Sequence, residues 1–231
     1  MSKTIKAVIF DKDGTLFDFR QSWGAWTHSL LDVLGGDRAH LAKVLGFDAE
    51  NTDFAPDSPV IAMTTPEIAA ILHPHLPSGS LPDLIALMST QAEQAPMVPA
   101  VDLPRVLGDL VARGQTLGLA TNDTEVPARR HLSDAGVIDL FSFVSGCDSG
   151  WGGKPAAGQL LAFAAQTGLP AGQIAMVGDS LHDLEAGRRA GMATVAVLTG
   201  IATAQDLAPY ADVVLPNIAG LAAWIEARAA S

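Results

Sequence analysis

The chain is nearly devoid of cysteine. The single Cys147 among 231 residues excludes an internal disulfide and fits a reducing compartment. Basic residues are also scarce, 14 against 25 acidic ones, for a net charge of −11. No basic run is longer than Arg129-Arg130 or Arg188-Arg189, which argues against a nucleic acid or an anionic membrane as partner. No apolar run approaches the ~20 residues of a membrane span. Internal repeats and low-complexity segments are absent. The amino terminus enters a strand pattern within a few residues, so no signal peptide is expected and the expected location is the cytoplasm.

What is abundant is apolar surface. Hydrophobic residues make up 48% and charged residues 17%, enough for a large core and too few charges for global disorder. At this length the chain forms one large domain, or a core with a smaller inserted one.

The apolar run Ile5 to Phe10 reads as a fully buried strand of a parallel sheet. It stops at Asp11-Lys12-Asp13-Gly14-Thr15. Two carboxylates so close repel unless something compensates, and a hard cation such as Mg2+ is the usual compensator. Gly14 permits a tight turn there. Taken alone, the same residues are equally a strand followed by an acidic turn.

From about Gly118 onward the pattern alternates. Strands are expected at Thr116–Ala120, Phe141–Val144, Ile174–Val177, Ala193–Val197 and Asp212–Leu215, with helices between them. Val101–Arg113 is an amphipathic helix with Leu103, Val106, Leu107, Leu110 and Val111 on one stripe. Thr124 or Asp123 is the expected cap of the helix that ends near Ala135. Pro155 suits the first position of a helix that buries Leu160, Leu161 and Ala164. Asn217 caps the last helix. Strands alternating with helices imply α/β architecture with a doubly wound, Rossmann-like parallel sheet of about six strands.

Residues 17–97 break this rhythm. Helices are expected near Gln21–Leu34, Arg38–Leu45, Thr64–Leu72 and Leu81–Gln94, joined by proline-rich connections, with no convincing strand. This stretch holds three basic and ten acidic residues, a net of −7. It reads as an inserted α-helical cap domain, with residues 1–16 and 98–231 forming the core domain.

Four polar clusters each follow a predicted strand: Asp11/Asp13/Thr15, Thr121/Asn122, Lys154 and Asp179/Asp183. In a parallel sheet all carboxyl ends share one edge, so the clusters converge there. Their chemistry suits phosphoryl transfer. An aspartate can be the nucleophile, a second carboxylic acid can protonate the leaving alcohol, and a lysine can neutralise developing charge. The Gly-rich loop before Lys154 lacks the Gly-Lys-Ser/Thr ending of a nucleotide-binding loop.

The motifs Asp-Lys-Asp-Gly-Thr-Leu and Gly-Asp-Ser-Leu-His-Asp, with Thr121-Asn122 and Lys154-Pro155 between them, resemble the haloacid dehalogenase-like hydrolase superfamily. Within it the chain is similar to phosphoglycolate-phosphatase-type members with a helical cap inserted after the first motif. The resemblance implies Asp11 as nucleophile and Asp13 as general acid/base, with the Asp13 backbone carbonyl a metal ligand. It implies Thr121 and Asn122 as the phosphoryl-binding pair and Lys154 as the charge-neutralising lysine. It implies Asp179 as a further Mg2+ ligand, Asp183 as the acid orienting metal-bound water, and Gly14 and Thr15 as the turn that exposes the acids beside the bound phosphoryl group.

The function so implied is Mg2+-dependent hydrolysis of small phosphomonoesters, phosphoglycolate-like or sugar phosphates, through an aspartyl-phosphate. Asp13 favours this over dehalogenation, because a halide leaves without a proton and an alcohol does not. The −7 cap disfavours polyanionic substrates such as nucleotides. A phosphosugar mutase and a non-catalytic phospho-acceptor or binding module are the rival readings. The partner is a small phosphate ester, and the chain is a monomer or homodimer.

Other residues have quieter readings. Trp23, Trp26, Leu30, Val33 and Leu34 form a helical stripe best read as cap core rather than substrate pocket. Arg20 is a surface residue or a contact to a substrate carboxylate. His28, His73 and His75 lack metal-ligand spacing. Trp151 either lines the pocket mouth or lies on the surface.

Overall fold

Strand β1 (Ala7–Phe10) is buried on both faces, as its unbroken apolar run requires. The structure, a computed structural model, describes residues 4–230. After β1 come helices α1 (Phe19–Leu34) and α2 (Arg38–Val44), a two-residue-per-strand antiparallel pair β2 (Phe47–Asp48) and β3 (Asp53–Phe54), then α3 (Thr65–Leu72) and α4 (Leu81–Glu93). The remainder alternates: α5 (Leu103–Ala112), β4 (Thr116–Ala120), α6 (Glu125–Asp134), β5 (Phe141–Ser145), α7 (Gly158–Thr167), β6 (Ile174–Gly178), α8 (Leu181–Ala190), β7 (Ala193–Val197), α9 (Ala204–Leu207), β8 (Val213–Leu215) and α10 (Leu221–Ala229).

The main sheet has six parallel strands in the order β5-β4-β1-β6-β7-β8. β1 is central, with Ile9 opposite Gly118 on one side and Met176 on the other. The chain fills one half of the sheet with β4 and β5 and then the other half with β6 to β8. The carboxyl ends flanking β1 therefore form the crevice where such sheets bind ligands. One face packs Val8, Phe10, Leu117 and Leu119 against Leu103, Leu107, Leu132 and Leu221 of the helices. The other packs Ile9 and Met176 against Leu160, Phe163 and Ala186.

Residues between Phe19 and Ala92 have an apolar cluster of their own, built from α1 to α4 around Leu30, Leu41, Phe54, Ile68 and Leu84. The β2–β3 pair corrects the all-helical expectation for this stretch. Its strands are too short for alternation to register in the sequence, and Phe47 and Phe54, which face each other across it, belong to the helical core. The two chain crossings lie side by side. Asp18 N donates to Val98 O (2.8 Å) and Ala100 N donates to Leu16 O (2.9 Å).

Several local expectations change. Val33, Val111 and Leu161 are exposed rather than inward-facing. Pro155 does not open α7, which begins at Gly158; the Lys154-Pro155 bond is cis. Thr124 occupies the cap position of α6, but the amide of Glu125 is taken by Asp148 Oδ1 (2.9 Å).

A buried imidazole joins the helical insertion to the sheet domain. His131 Nε2 donates to Ala92 O (2.8 Å), beyond the end of α3 and within α4, and its Nδ1 accepts from Lys12 Nζ (3.1 Å). Those partners fix the neutral tautomer. Burial first and the Lys12 charge second hold His131 at about 4, below the usual 6.5. The unfolded chain therefore binds a proton between those values that the folded chain refuses, so this group makes stability fall as pH drops. Urea unfolding of wild type and His131→Gln should show the wild-type advantage shrinking by up to about 3 kcal/mol between pH 7 and pH 4. An advantage that stays constant across that window would contradict the assignment.

Candidate active site

The four polar clusters meet at the carboxyl edge of the sheet. Asp11 follows β1, Thr121 follows β4, Lys154 lies in the loop after β5, and Asp179 follows β6. Lys154 Nζ lies 2.6 Å from Asp11 Oδ1 and 2.6 Å from Asp183 Oδ1. Carboxylate oxygens of Asp11, Asp179 and Asp183 lie within 4.8 Å of one another, and all three residues are buried. Among the described residues this is the one cluster of its kind.

The electrostatics follow from burial. Three acids share one ammonium. Burial, with Asp183 and Asp13 adding to it against the pull of Lys154, raises Asp11 from the usual carboxylate range to about 7. Burial and the charges of Asp183 and Asp11 push Asp179 well above that range. Burial alone would lower Lys154, but Asp11 and Asp183 overcome it and hold the lysine charged. Such a cluster takes up protons or a cation. Its donors are all oxygen and its uncompensated charge is negative, so the residues fit a hard divalent ion.

The turn after β1 is built around Asp179. Gly14 has φ +75°, and a Cβ on it, or on Gly200, would overlap the Asp179 carboxylate. Thr15 is fully buried and its Oγ1 donates to Asp179 Oδ1 (3.2 Å). Gly14 and Thr15, expected beside the bound phosphoryl group, thus contact Asp179 and do not line the cavity. Asp183 stands in the first turn of α8. Its Oδ2 accepts from Ser180 N (3.1 Å) and Ser180 Oγ (2.7 Å), while its Oδ1 holds Lys154.

Thr121 Oγ1 accepts from Asp123 N (3.1 Å), which leaves its hydroxyl hydrogen to donate into the cavity it lines. The side chain of Asn122 is engaged elsewhere. Its Nδ2 donates to Lys154 O (2.9 Å) and to Ala62 O (2.7 Å), and its Oδ1 accepts from Lys154 N (2.7 Å). Asn122 therefore positions the lysine backbone and ties it to the insertion, leaving only its main chain for an anion. The Asp13 side chain lies outside the three-acid cluster and pairs with Lys12 Nζ at 2.8 Å through Oδ1.

Lys12, Asp123, His131 and Gln159 carry parts of the site that motif reading passed over. Lys12 is fully buried, bonded to Asp13 and His131, and ion-paired with Asp123 at 3.2 Å. Burial alone would lower Lys12, but Asp13 and Asp123 raise it. The available signal was its place between two acids, where a lysine entering a buried turn needs anionic partners. Gln159 Nε2 donates to Thr121 O (3.0 Å) and Gly146 O (3.0 Å), pinning the loop beside Thr121. A lone glutamine in a helix offers no such signal.

A cavity of about 50 Å³ lies above the cluster, with Asp11, Asp13, Thr121 and Lys154 on its floor and α1, α3, α4 and residues 60–63 above. Trp23 and Trp26 line it, so the stripe on α1 serves both core and cavity. Trp151 is exposed and does not line it. Arg20 pairs with Asp53 Oδ1 (2.9 Å) and Gly200 O (3.2 Å), away from the cavity. His75 pairs with His40 (3.0 Å).

Known proteins are similar to this chain in sequence and in fold. A family model described as haloacid dehalogenase-like hydrolase matches residues 5–191. A phosphoglycolate phosphatase of Rhodospirillum rubrum is 31% identical over 95% of this chain and 90% of its own length. Another, of Xanthomonas campestris pv. campestris, is 29% identical over 95% of this chain and 97% of its own. The crystal structure of CbbY from Rhodobacter sphaeroides in complex with phosphate superposes with a TM-score of 0.73 at 17% identity, covering 94% of this chain and 96% of that one. The chain belongs to the haloacid dehalogenase-like hydrolases, and within them it is an enzyme of the phosphoric monoester hydrolase kind.

Proposed function

We propose that the enzyme hydrolyses small phosphomonoesters, the class that includes phosphoglycolate and sugar phosphates, through an aspartyl-phosphate on Asp11 with Mg2+ bound. The observation that carries this is the buried cluster of Asp11, Asp179 and Asp183 around the single ammonium of Lys154. Asp11 and Asp179 would hold the ion, with the Asp13 carbonyl as a further ligand and Asp183 orienting its water. When bound, Mg2+ supplies charge neutralisation at the phosphoryl oxygens.

The protein's own groups carry the rest. Asp11 attacks phosphorus, and the bond to the leaving oxygen breaks as Asp13 gives that oxygen its proton. Lys12 engages only Oδ1 of Asp13, so Oδ2 is the oxygen that carries the proton. Asp13 then takes a proton from water, which attacks the aspartyl-phosphate and releases inorganic phosphate. Lys154 and the Thr121 hydroxyl hold the phosphoryl oxygens.

Residues 17–97 act as a cap on a core of residues 1–16 and 98–231, opening for substrate and closing to exclude water. The separate apolar cluster, the adjacent chain crossings and the cavity lying between the two parts support this division. In this reading the enzyme works in the cytoplasm as a monomer or homodimer. No helix among the described residues is long and apolar enough to cross a membrane.

Asp11→Asn should lower kcat for p-nitrophenyl phosphate with Mg2+ by at least about 1,000-fold. Retention of a tenth of the activity would overturn the nucleophile assignment. Phosphosugar isomerisation outrunning phosphate release would favour a mutase instead.

Thr15→Val tests the Asp179 contact. Losing an outer hydrogen bond to a metal-binding carboxylate should weaken Mg2+ binding about 10- to 100-fold, read by calorimetry and by the Mg2+ concentration for half-maximal rate. Unchanged binding with a raised KM for substrate would instead return Thr15 to the substrate-contacting role.

A further inference from the structure

The carboxylate of Asp179 sits in a slot between two glycine backbones. A Cβ on Gly14 or on Gly200 would run into it, so both walls depend on a residue that lets backbone come this close. Gly14 belongs to the turn after β1, and Gly200 to the loop of residues 199–201 that follows β7. Thr199 Oγ1 donates to Gly14 O (2.6 Å), which ties one wall of the slot to the other. From the first wall Thr15 Oγ1 reaches Asp179 Oδ1 (3.2 Å). The second wall is gripped from outside the sheet domain.

The grip comes from the helical insertion. Arg20, in the first turn of α1, donates from Nη1 to Gly200 O (3.2 Å) and from Nε to Asp53 Oδ1 (2.9 Å) on β3. Asp53 thus orients the guanidinium while its other arm holds the loop. Ile201, next in the chain, packs against the insertion's own apolar cluster. The loop therefore meets the insertion on one side and bears on Asp179 with the other. Folding stability does not account for the arginine. Its side chain is 49% exposed and that of Asp53 48%, and ion pairs at such sites add little. Charge does not account for it either, because a positive charge near a cation's seat opposes binding of the ion. What remains is the hydrogen bond to the loop.

Resting on the reading that Asp11 and Asp179 hold a divalent ion, we infer that Arg20 is a positioning residue for that site. By holding the Gly200 carbonyl it keeps residues 199–201 seated against the Asp179 carboxylate, and so links the seat of the insertion to the affinity for the ion. Arg20 lies outside the cavity lining, and its effect passes through one backbone carbonyl. The linkage is reciprocal: an ion that needs Asp179 in this orientation also favours the seated insertion.

Calorimetric titration of Mg2+ into metal-free protein compares wild type with Arg20→Met and Asp53→Asn. Arg20→Met keeps an unbranched apolar stem and removes the donors and the charge. It should weaken Mg2+ binding about three- to tenfold, less than the loss of a direct hydrogen-bond partner of a metal ligand. Its KM for p-nitrophenyl phosphate at saturating Mg2+ should stay within about twofold of wild type. Asp53→Asn keeps an acceptor for Nε and leaves the Gly200 bond, so its Mg2+ binding should also stay within about twofold. Circular dichroism and thermal unfolding check the fold of both variants. Mg2+ binding that Arg20→Met leaves unchanged or tightens, as removal of a charge alone would, overturns the inference while leaving the cation site intact. So does an equal loss in Asp53→Asn. Absence of saturable Mg2+ binding in the wild type would overturn the cation reading itself, and this inference with it.

Discussion

Three carboxylates buried in one crevice beside a single ammonium set the terms for the rest of the molecule. Burial raises the carboxyls of Asp11 and Asp179 above the ordinary range, with Lys154 the one ammonium against them, so the crevice favours the arrival of positive charge. The fold makes this juxtaposition possible. Parallel strands deliver residues far apart in the chain to one edge, and burial on both faces of β1 keeps water from screening what arrives. The glycines at 14 and 200 let backbone approach the Asp179 carboxylate directly, and Thr15 supplies its hydroxyl.

A second buried network lies beneath the helical insertion. Lys12 gathers Asp13, Asp123 and His131, and His131 reaches Ala92 in the insertion. Asn122 makes the parallel connection from the lysine loop to Ala62. The groups that surround the chemistry are thus bonded to the element that covers it. Arg20 adds a further tie, its guanidinium donating to Gly200 O.

Much of this was legible in the sequence. The six strands and their order of polar ends followed from short β-branched runs punctuated by glycine and acid, because period and length distinguish such strands from helices. Asp11, Lys154, Asp179 and Asp183 were visible as a set because each follows a strand. What stayed hidden depends on side-chain direction. Asn122 and Thr15 have the right composition for binding an anion, yet their polar atoms turn toward Lys154 and Asp179. Trp23 and Trp26 satisfied a core periodicity and so concealed their place in the cavity wall. The β2–β3 pair is too short to produce a pattern, and His131 and Gln159 act through backbone carbonyls that no motif encodes. Exposed Val33, Val111 and Leu161 show the same limit from the other side: a helical stripe fixes the buried direction only to within one flanking position.

The central claim is that the buried acids form a single divalent-cation site. Calorimetric titration of Mg2+ into metal-free protein addresses it most directly, with Asp179→Asn as the comparison. The account predicts one saturable ion per chain in the wild type and loss of that binding in the variant. Absence of saturable binding, or binding that Asp179→Asn leaves unaltered, would contradict it.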